Sequence, residues 1–424
     1  MKNKKNVIAL AIFNFGITSY WMVENFWINL YWTRNIDPRV SYVGLMVALS
    51  AIVGVITQIF FGAFSDSCTS KRGRRRPFML FSAITGGIAM CFFPITRFIS
   101  ILMVAITYAI IMDALITFFG DISTPPRLAL LAESTEVEKR GTVNAILGIT
   151  AAVATVMVVA VSGYIVNFAG PDFAFYFAGI SLIITGIIFY ILSEDPPLVK
   201  CEQTWVENFK ETFTLESYRE NKSLYILLFF LFVNTIGVQV VTPFLFIYIE
   251  TIFELEGLTL AIILGGLGLM SLILSFPIGI LLDKFGRKPI MIVAAIGAVI
   301  FSILFAFIPI GQESTLFFVF IFGGLMVGFA GSINAAADTW MQDLAPEDRR
   351  GSMLAYKIVA MVIPMVPGAL IGGYLADFGP KPEGYLYSPI IFVVSGIIMA
   401  VSIIFIKNVK ETLKKEVNMG KKIY

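Results

Sequence analysis

Twelve times in 424 residues the sequence runs through about 20 residues with almost no charge, the length an α-helix needs to cross a ~30 Å hydrocarbon core. The runs lie near 7–32, 41–63, 78–95, 98–120, 142–168, 173–193, 223–249, 258–282, 289–310, 315–337, 353–376 and 388–407. In hydrocarbon every backbone polar group must be bonded internally, so the expected fold is an all-α integral membrane protein with twelve transmembrane helices. Charged residues make up 14% of the chain, against about 25% in soluble domains. The net charge of +2 gives no reason to expect a nucleic-acid partner. Residues 1–6 are short and basic, but the apolar run behind them is too long for a signal-peptide core and reads as the first span. Cys68, Cys91 and Cys201 show no paired spacing, which fits a reduced compartment.

The basic residues orient the chain. With twelve spans both termini share one side, and of the 31 Lys and Arg residues all but Arg34, Arg39, Arg97 and Lys381 fall in the termini or the even-numbered loops. The positive-inside rule makes that side cytoplasmic, so a multi-pass protein of the cell membrane with cytoplasmic termini is expected.

Two motifs recur about half a chain apart. Gly62 and Asp66, ahead of Gly73, Arg74, Arg75, Arg76 and Pro77, return as Gly279 and Asp283 ahead of Gly286, Arg287, Lys288 and Pro289. Glu133, Glu138, Arg140 and Gly141 return as Asp343, Asp348, Arg350 and Gly351. Repetition of this kind implies two homologous six-helix bundles. The expected division is 1–193, a linker at 194–222, 223–407 and a tail at 408–424. Within the linker Trp205, Phe209 and Phe213 share one helical face, as in an amphipathic helix lying on the inner membrane surface. Gly62 and Gly279 would let helices approach closely. Asp66 and Asp283 would take charge-assisted hydrogen bonds from Arg74, Arg75 or Arg287, or from a helix N-terminus, when an inner gate closes. The plainer reading makes these loops topology anchors, but an anchor needs positive charge only. Glu133, Arg140, Asp343 and Arg350 would cap and staple their loops, with Arg140 paired to Glu133 or Glu138.

Inside the spans charge is costly, at least ~2.5–3.5 kcal/mol for a mid-helix acid, so such residues mark ion or substrate paths. Glu24 and Asp113 lie well inside, and Asp121 and Arg127 lie near a helix end. No Lys or Arg shares the interior with Glu24 and Asp113. Desolvation penalises their ionised forms, which suits reversible proton carriage. His is absent, so proton chemistry near neutral pH falls to carboxylates. Sodium coupling stays open, because carboxylates and helix carbonyls coordinate that ion too. Tyr20, Trp21 and Trp27 stand at helical spacing from Glu24 and, with Asn14 and Asn25, offer rings and amides of the kind that hold sugars. The interfacial aromatic belt is the competing explanation for the rings. Asn234, Gln239 and Thr242 on the seventh span and Asn334 on the tenth are the sugar contacts expected from the second half, where polar glue between helices explains them as well.

Two tandem six-helix halves and the looped Gly-x-x-x-Asp motif repeated in each resemble the major facilitator superfamily, whose pseudo-symmetric halves enclose a midplane site. Ser65, Asp66, Cys68, Thr69 and Ser70 followed by Gly73 to Phe78 resemble more narrowly the plant sucrose–proton symporters and the animal proton-associated sugar transporters, relatives of the glycoside–pentoside–hexuronide:cation symporters. Tyr20 with Glu24, and Pro126, Arg127 and Glu133, agree with that resemblance. It implies proton-coupled symport of a sugar such as sucrose or maltose, by a monomer in a lipid bilayer, without cofactor or metal. Glu24, Asp113 or Asp121 would carry the proton, and Arg127 would steer a sugar hydroxyl, balance Asp121 or snorkel to the surface. The alternatives are a proton-driven exporter of drugs or metabolites and a non-transporting sensor. An enzyme is disfavoured, since no metal cluster and no phosphate-cradling motif accompanies the absence of His.

Overall fold

The computed structural model describes residues 4–68, 73–135, 140–161, 169–194, 214–253, 255, 257–310, 312, 314–344, 358–383 and 385–412. Among these residues nine helices are apolar and long enough to span a membrane, and three shorter apolar helices complete twelve. The spans are α1 (Lys4–Asn35), α2 (Val40–Ser67), α3 (Arg76–Phe92), α4 (Leu102–Asp121), α5 (Arg140–Ala160) and α6 (Phe173–Leu192). The second half repeats them as α7 (Lys222–Val241), α8 (Gly257–Phe285), α9 (Arg287–Phe305), α10 (Thr315–Leu344), α11 (Met365–Phe378) and α12 (Ile390–Ile406).

Proline and glycine place the interruptions. Pro94 turns the end of α3 into the 3-10 helix Phe93–Phe98. Pro125 and Pro126 open the short helix Thr124–Ser134 behind α4, since proline fits a first turn whose N–H groups lack helical partners. Pro243 follows α7, and the chain resumes as the helix Leu245–Phe253. The tenth helix outlasts its apolar run, and its added turns bury Trp340 and Met341. Two turns widen to π-helix, Val23–Trp27 within α1 and Ile358–Val362 ahead of α11.

The halves are built alike. In the first, α1 packs on α5 and α6, α2 on α4, and α3 on α4 and α6. In the second, α7 packs on α11 and α12, α8 on α10, and α9 on α10 and α12. The two motif repeats meet in equivalent contacts: Arg75 Nη2 lies 3.0 Å from Glu133 Oε1, and Arg287 Nε lies 3.1 Å from Asp343 Oδ2. Between the halves α2 runs along α11 and α5 along α8. Outward-facing Ile56, Phe60, Ile149, Ile184, Ile273 and Ile404 are exposed, which suits a surface bathed in lipid.

The repeated loops depend on backbone that only glycine adopts easily. Gly73 has φ +110 and Gly286 φ +106, and with ψ 159 Gly286 sits in the region nearly closed to other residues. Glu411 accepts from the backbone N–H groups of Arg287 (3.1 Å) and Lys288 (2.9 Å), capping α9. A Cβ on Gly286 would lie 2.7 Å from Glu411 Oε2. Gly286→Ala is therefore expected to destabilise the fold by about 1–3 kcal/mol, seen as an earlier thermal unfolding transition in detergent. An unchanged transition would mean that this loop relaxes freely.

Candidate functional site

The π turn of α1 sets the site. Its extra residue leaves carbonyls off the regular ladder, and asparagines take them up: Asn25 Nδ2 donates to Trp21 O (2.9 Å) and Asn29 Nδ2 to Asn25 O (2.8 Å). Such turns are frequent at functional sites. Within the turn, Glu24 Oε1 accepts from Thr117 Oγ1 of α4 at 3.2 Å.

On α4, Asp113, Thr117 and Asp121 stand four residues apart and share a face. Ser50, Gly54 and Gln58 repeat that spacing on α2, and the two rows bond rung by rung. Ser50 Oγ donates to Asp113 Oδ2 at 2.5 Å, and Gln58 Nε2 donates to Asp121 Oδ1 at 3.0 Å. Thr124 Oγ1 lies 3.2 Å from that same oxygen. Between the rungs glycine leaves room for the carboxylate, since a Cβ on Gly54 would lie 2.6 Å from Asp121 Oδ2 and push it aside. Asp113 is 1% exposed and Asp121 7%. Among the described ion pairs none joins Glu24, Asp113 or Asp121 to Lys or Arg.

These carboxylates line a cavity of about 210 Å³ between the halves, with Trp21, Asn25 and Asn29 on one side and Gln239, Thr242 and Met365 on the other. A second cavity, of about 570 Å³, is walled mainly by apolar groups such as Met22, Phe26, Val159, Leu264 and Met326. Asn334 lines this second cavity, and Gln239 and Thr242 border both.

Of the residues expected to bind solute, Trp21, Asn25, Gln239, Thr242 and Asn334 line these cavities. The others border neither cavity. Tyr20 is fully buried and donates to Ile116 O at 2.6 Å. Trp27 Nε1 donates to Pro171 O at 3.2 Å. Asn14 Nδ2 donates to Leu147 O at 2.9 Å, and Asn14 Oδ1 accepts from Arg127 Nη1 at 3.1 Å. Asn234 is 3% exposed and borders neither cavity. Ser50, Gln58, Thr117 and Asn29 were not expected. Their only sequence signal is a polar residue inside an apolar span, with Ser50 to Gln58 matching Asp113 to Asp121 in spacing.

Of the expected gate residues, Arg75 Nη1 donates to Ser65 Oγ (2.8 Å) and Arg74 Nε to Ser65 O (3.4 Å). Glu133 thus meets Arg75. Arg140 opens α5. Gly62 lies in α2, and Gly279 and Asp283 in α8. The side chains of Asp66, Asp283 and Arg140, and all of Glu138, Asp348, Arg350 and the linker aromatics, lie outside the described part of the chain.

At the end opposite the basic loops the halves are closed. Arg34 of α1 pairs with Glu250, and Phe26 stacks on Phe246 with centroids 4.5 Å apart. Asp377 of α11 accepts from the N–H groups of Val40 (3.2 Å) and Ser41 (2.7 Å), capping α2 from the other half. Tyr387 Oη donates to Pro38 O at 2.7 Å. Beside it the Arg39 guanidinium holds the Asp37 carboxyl below the usual carboxylate range.

The family model of the Major Facilitator Superfamily matches residues 8–271 and 227–422. The chain belongs to this superfamily. Among curated relatives, the class H tetracycline resistance protein of Pasteurella multocida is 26% identical over 200 residues, 46% of each chain. The match therefore spans about half that relative's length. Solved structures align over almost the whole chain. A mutant of the nucleoside transporter NupG gives a TM-score of 0.76 at 13% identity, over 96% of this chain and 99% of that one. A D-xylose-proton symporter gives 0.72 at 16% identity, over 96% and 98%. At such identities the likeness is one of fold.

Proposed function

We propose that this protein is a secondary transporter that moves a sugar or glycoside together with protons by alternating access, with the basic end and both termini in the cytoplasm. The observation that carries the reading is the set of three carboxylates, none joined to Lys or Arg by a described ion pair, in a cavity between the halves that also presents amides, hydroxyls and one indole. A hydroxylated ring needs donors, acceptors and a flat apolar surface together, and this cavity supplies them. The Ser65 to Phe78 loop, in its likeness to sucrose–proton symporters, supports the sugar, as does the D-xylose-proton symporter among the structural neighbours. Protonation of the carboxylates would admit the sugar, the halves would rock about the α2–α11 and α5–α8 seams, and deprotonation at the basic end would reset the carrier.

A second reading, proton-driven export of amphipathic compounds, is favoured by the larger apolar cavity and by the tetracycline resistance relative. The measurement that separates them is external pH in weakly buffered proteoliposomes with a counter-ion shunt, on addition of sucrose, maltose and monosaccharides in turn. Alkalinisation with one sugar is expected. Labelled sugar entering without a pH change moves the coupling to sodium or to none, and no entry at all favours the exporter.

A further inference from the structure

We infer that Asn29 couples occupancy of the polar cavity to closure of the end opposite the basic loops, an assignment that rests on the sugar reading above. Asn29 is 2% exposed and borders the cavity one turn beyond Glu24. Its amide spends both N–H groups on carbonyls: one on Asn25 O in the π turn at 2.8 Å, the other on Pro243 O of the second half at 3.2 Å. Its Oδ1 is buried without a hydrogen-bond partner. Turning the amide over would set Oδ1 against two carbonyl oxygens, so the partners fix its orientation.

One side chain therefore holds three things at once. It ties down the widened turn that carries Glu24, it clamps the break between α7 and the helix Leu245–Phe253, and it holds one buried acceptor without a partner in a residue that borders the cavity. That acceptor suits a hydroxyl donor. A hydroxyl bonded to Oδ1 polarises the amide and strengthens both N–H bonds, because chained hydrogen bonds reinforce one another. The strengthened bond to Pro243 acts at the base of the segment that carries Phe246 and Glu250, the residues that meet Phe26 and Arg34 when this end is closed. Asn29 is thus a positioning residue that reports a bound sugar to the contact between the halves.

The test is hydrogen–deuterium exchange on the full-length protein in lipid nanodiscs, with and without sucrose or maltose, for wild type, Asn29→Leu and Asn29→Asp. Leucine keeps the volume and removes donors and acceptor; aspartate keeps the acceptor and removes the clamp. Without sugar, both variants are expected to exchange about fivefold or more faster than wild type over 245–253, with α9 unchanged as the control for folding. Sugar is expected to slow exchange over 245–253 in wild type and in neither variant. Wild-type exchange in both sugar-free variants overturns the clamp, and sugar protection retained in Asn29→Asp overturns the sensing. If neither disaccharide binds wild type, the disaccharide reading falls and the sensing with it, while the sugar-free comparison still decides the clamp.

Discussion

Proteoliposomes carrying Glu24→Gln are expected to lose sugar accumulation driven by a pH gradient while still exchanging sugar downhill. Glutamine keeps the shape of the side chain and the bond from Thr117, but it has no ionised form to alternate with. A gradient of one pH unit supplies about 1.36 kcal/mol per proton. One coupled proton then concentrates the sugar about tenfold, and without coupling the ratio falls to about one. Asp113→Asn and Asp121→Asn place the proton among the three acids. The variant that abolishes accumulation but spares exchange carries it, whereas one that abolishes both holds the sugar or the fold. If all three single variants still accumulate sugar, none of these carboxylates is the coupling group.

The helices were legible because a bilayer leaves so few ways to bond a backbone, and uninterrupted apolar runs announce them. The two-half plan was legible from paired motifs, and Arg75–Glu133 with Arg287–Asp343 shows why they are paired: each basic loop is held by the acid of the next. Glu24 and Asp113 stood out because charge inside a span is costly. Their partners did not. Ser50 and Gln58 look ordinary on α2 until α4 is laid beside it, since the ladder is a tertiary fact with no local signature. The aromatic face of α1 departs from expectation for a local reason. Regular helical spacing puts Trp27 beside Glu24, but both lie in a turn with one residue too many. The extra residue rotates the next turn of the helix, and Trp27 reaches Pro171 instead. Nor does apolarity mark where α10 ends, because its last turns continue as an ordinary helix with Trp340 and Met341 turned inward.

Gly44→Val is expected to stop turnover without unfolding the protein. At the closed end α2 and α11 touch through glycine. A Cβ on Gly44 would lie 2.5 Å from Ala369 O and 3.3 Å from Gly373 Cα. Both neighbours are backbone, so no side chain can swing aside. Overpacking of this kind costs about 1–3 kcal/mol, and the cost falls only on the state in which the helices touch, a shift of about 5- to 150-fold between closed and open populations. Asp377 would lose its hold on Val40 and Ser41 as the helices part. The related seam offers a contrast: a Cβ on Gly268 of α8 has as its nearest neighbour Thr155 Cγ2 at 3.9 Å, an ordinary contact. Gly268→Ala should therefore cycle normally. Binding measured in detergent should survive in Gly44→Val, since Gly44, Ala369 and Gly373 line neither cavity, while exchange across the membrane should fall in proportion to the closed population. Full-rate exchange by Gly44→Val would mean that the glycine contact at α2 and α11 is passed over in the transport cycle, and that closure of this end depends instead on Arg34, Glu250 and the stacked Phe26 and Phe246.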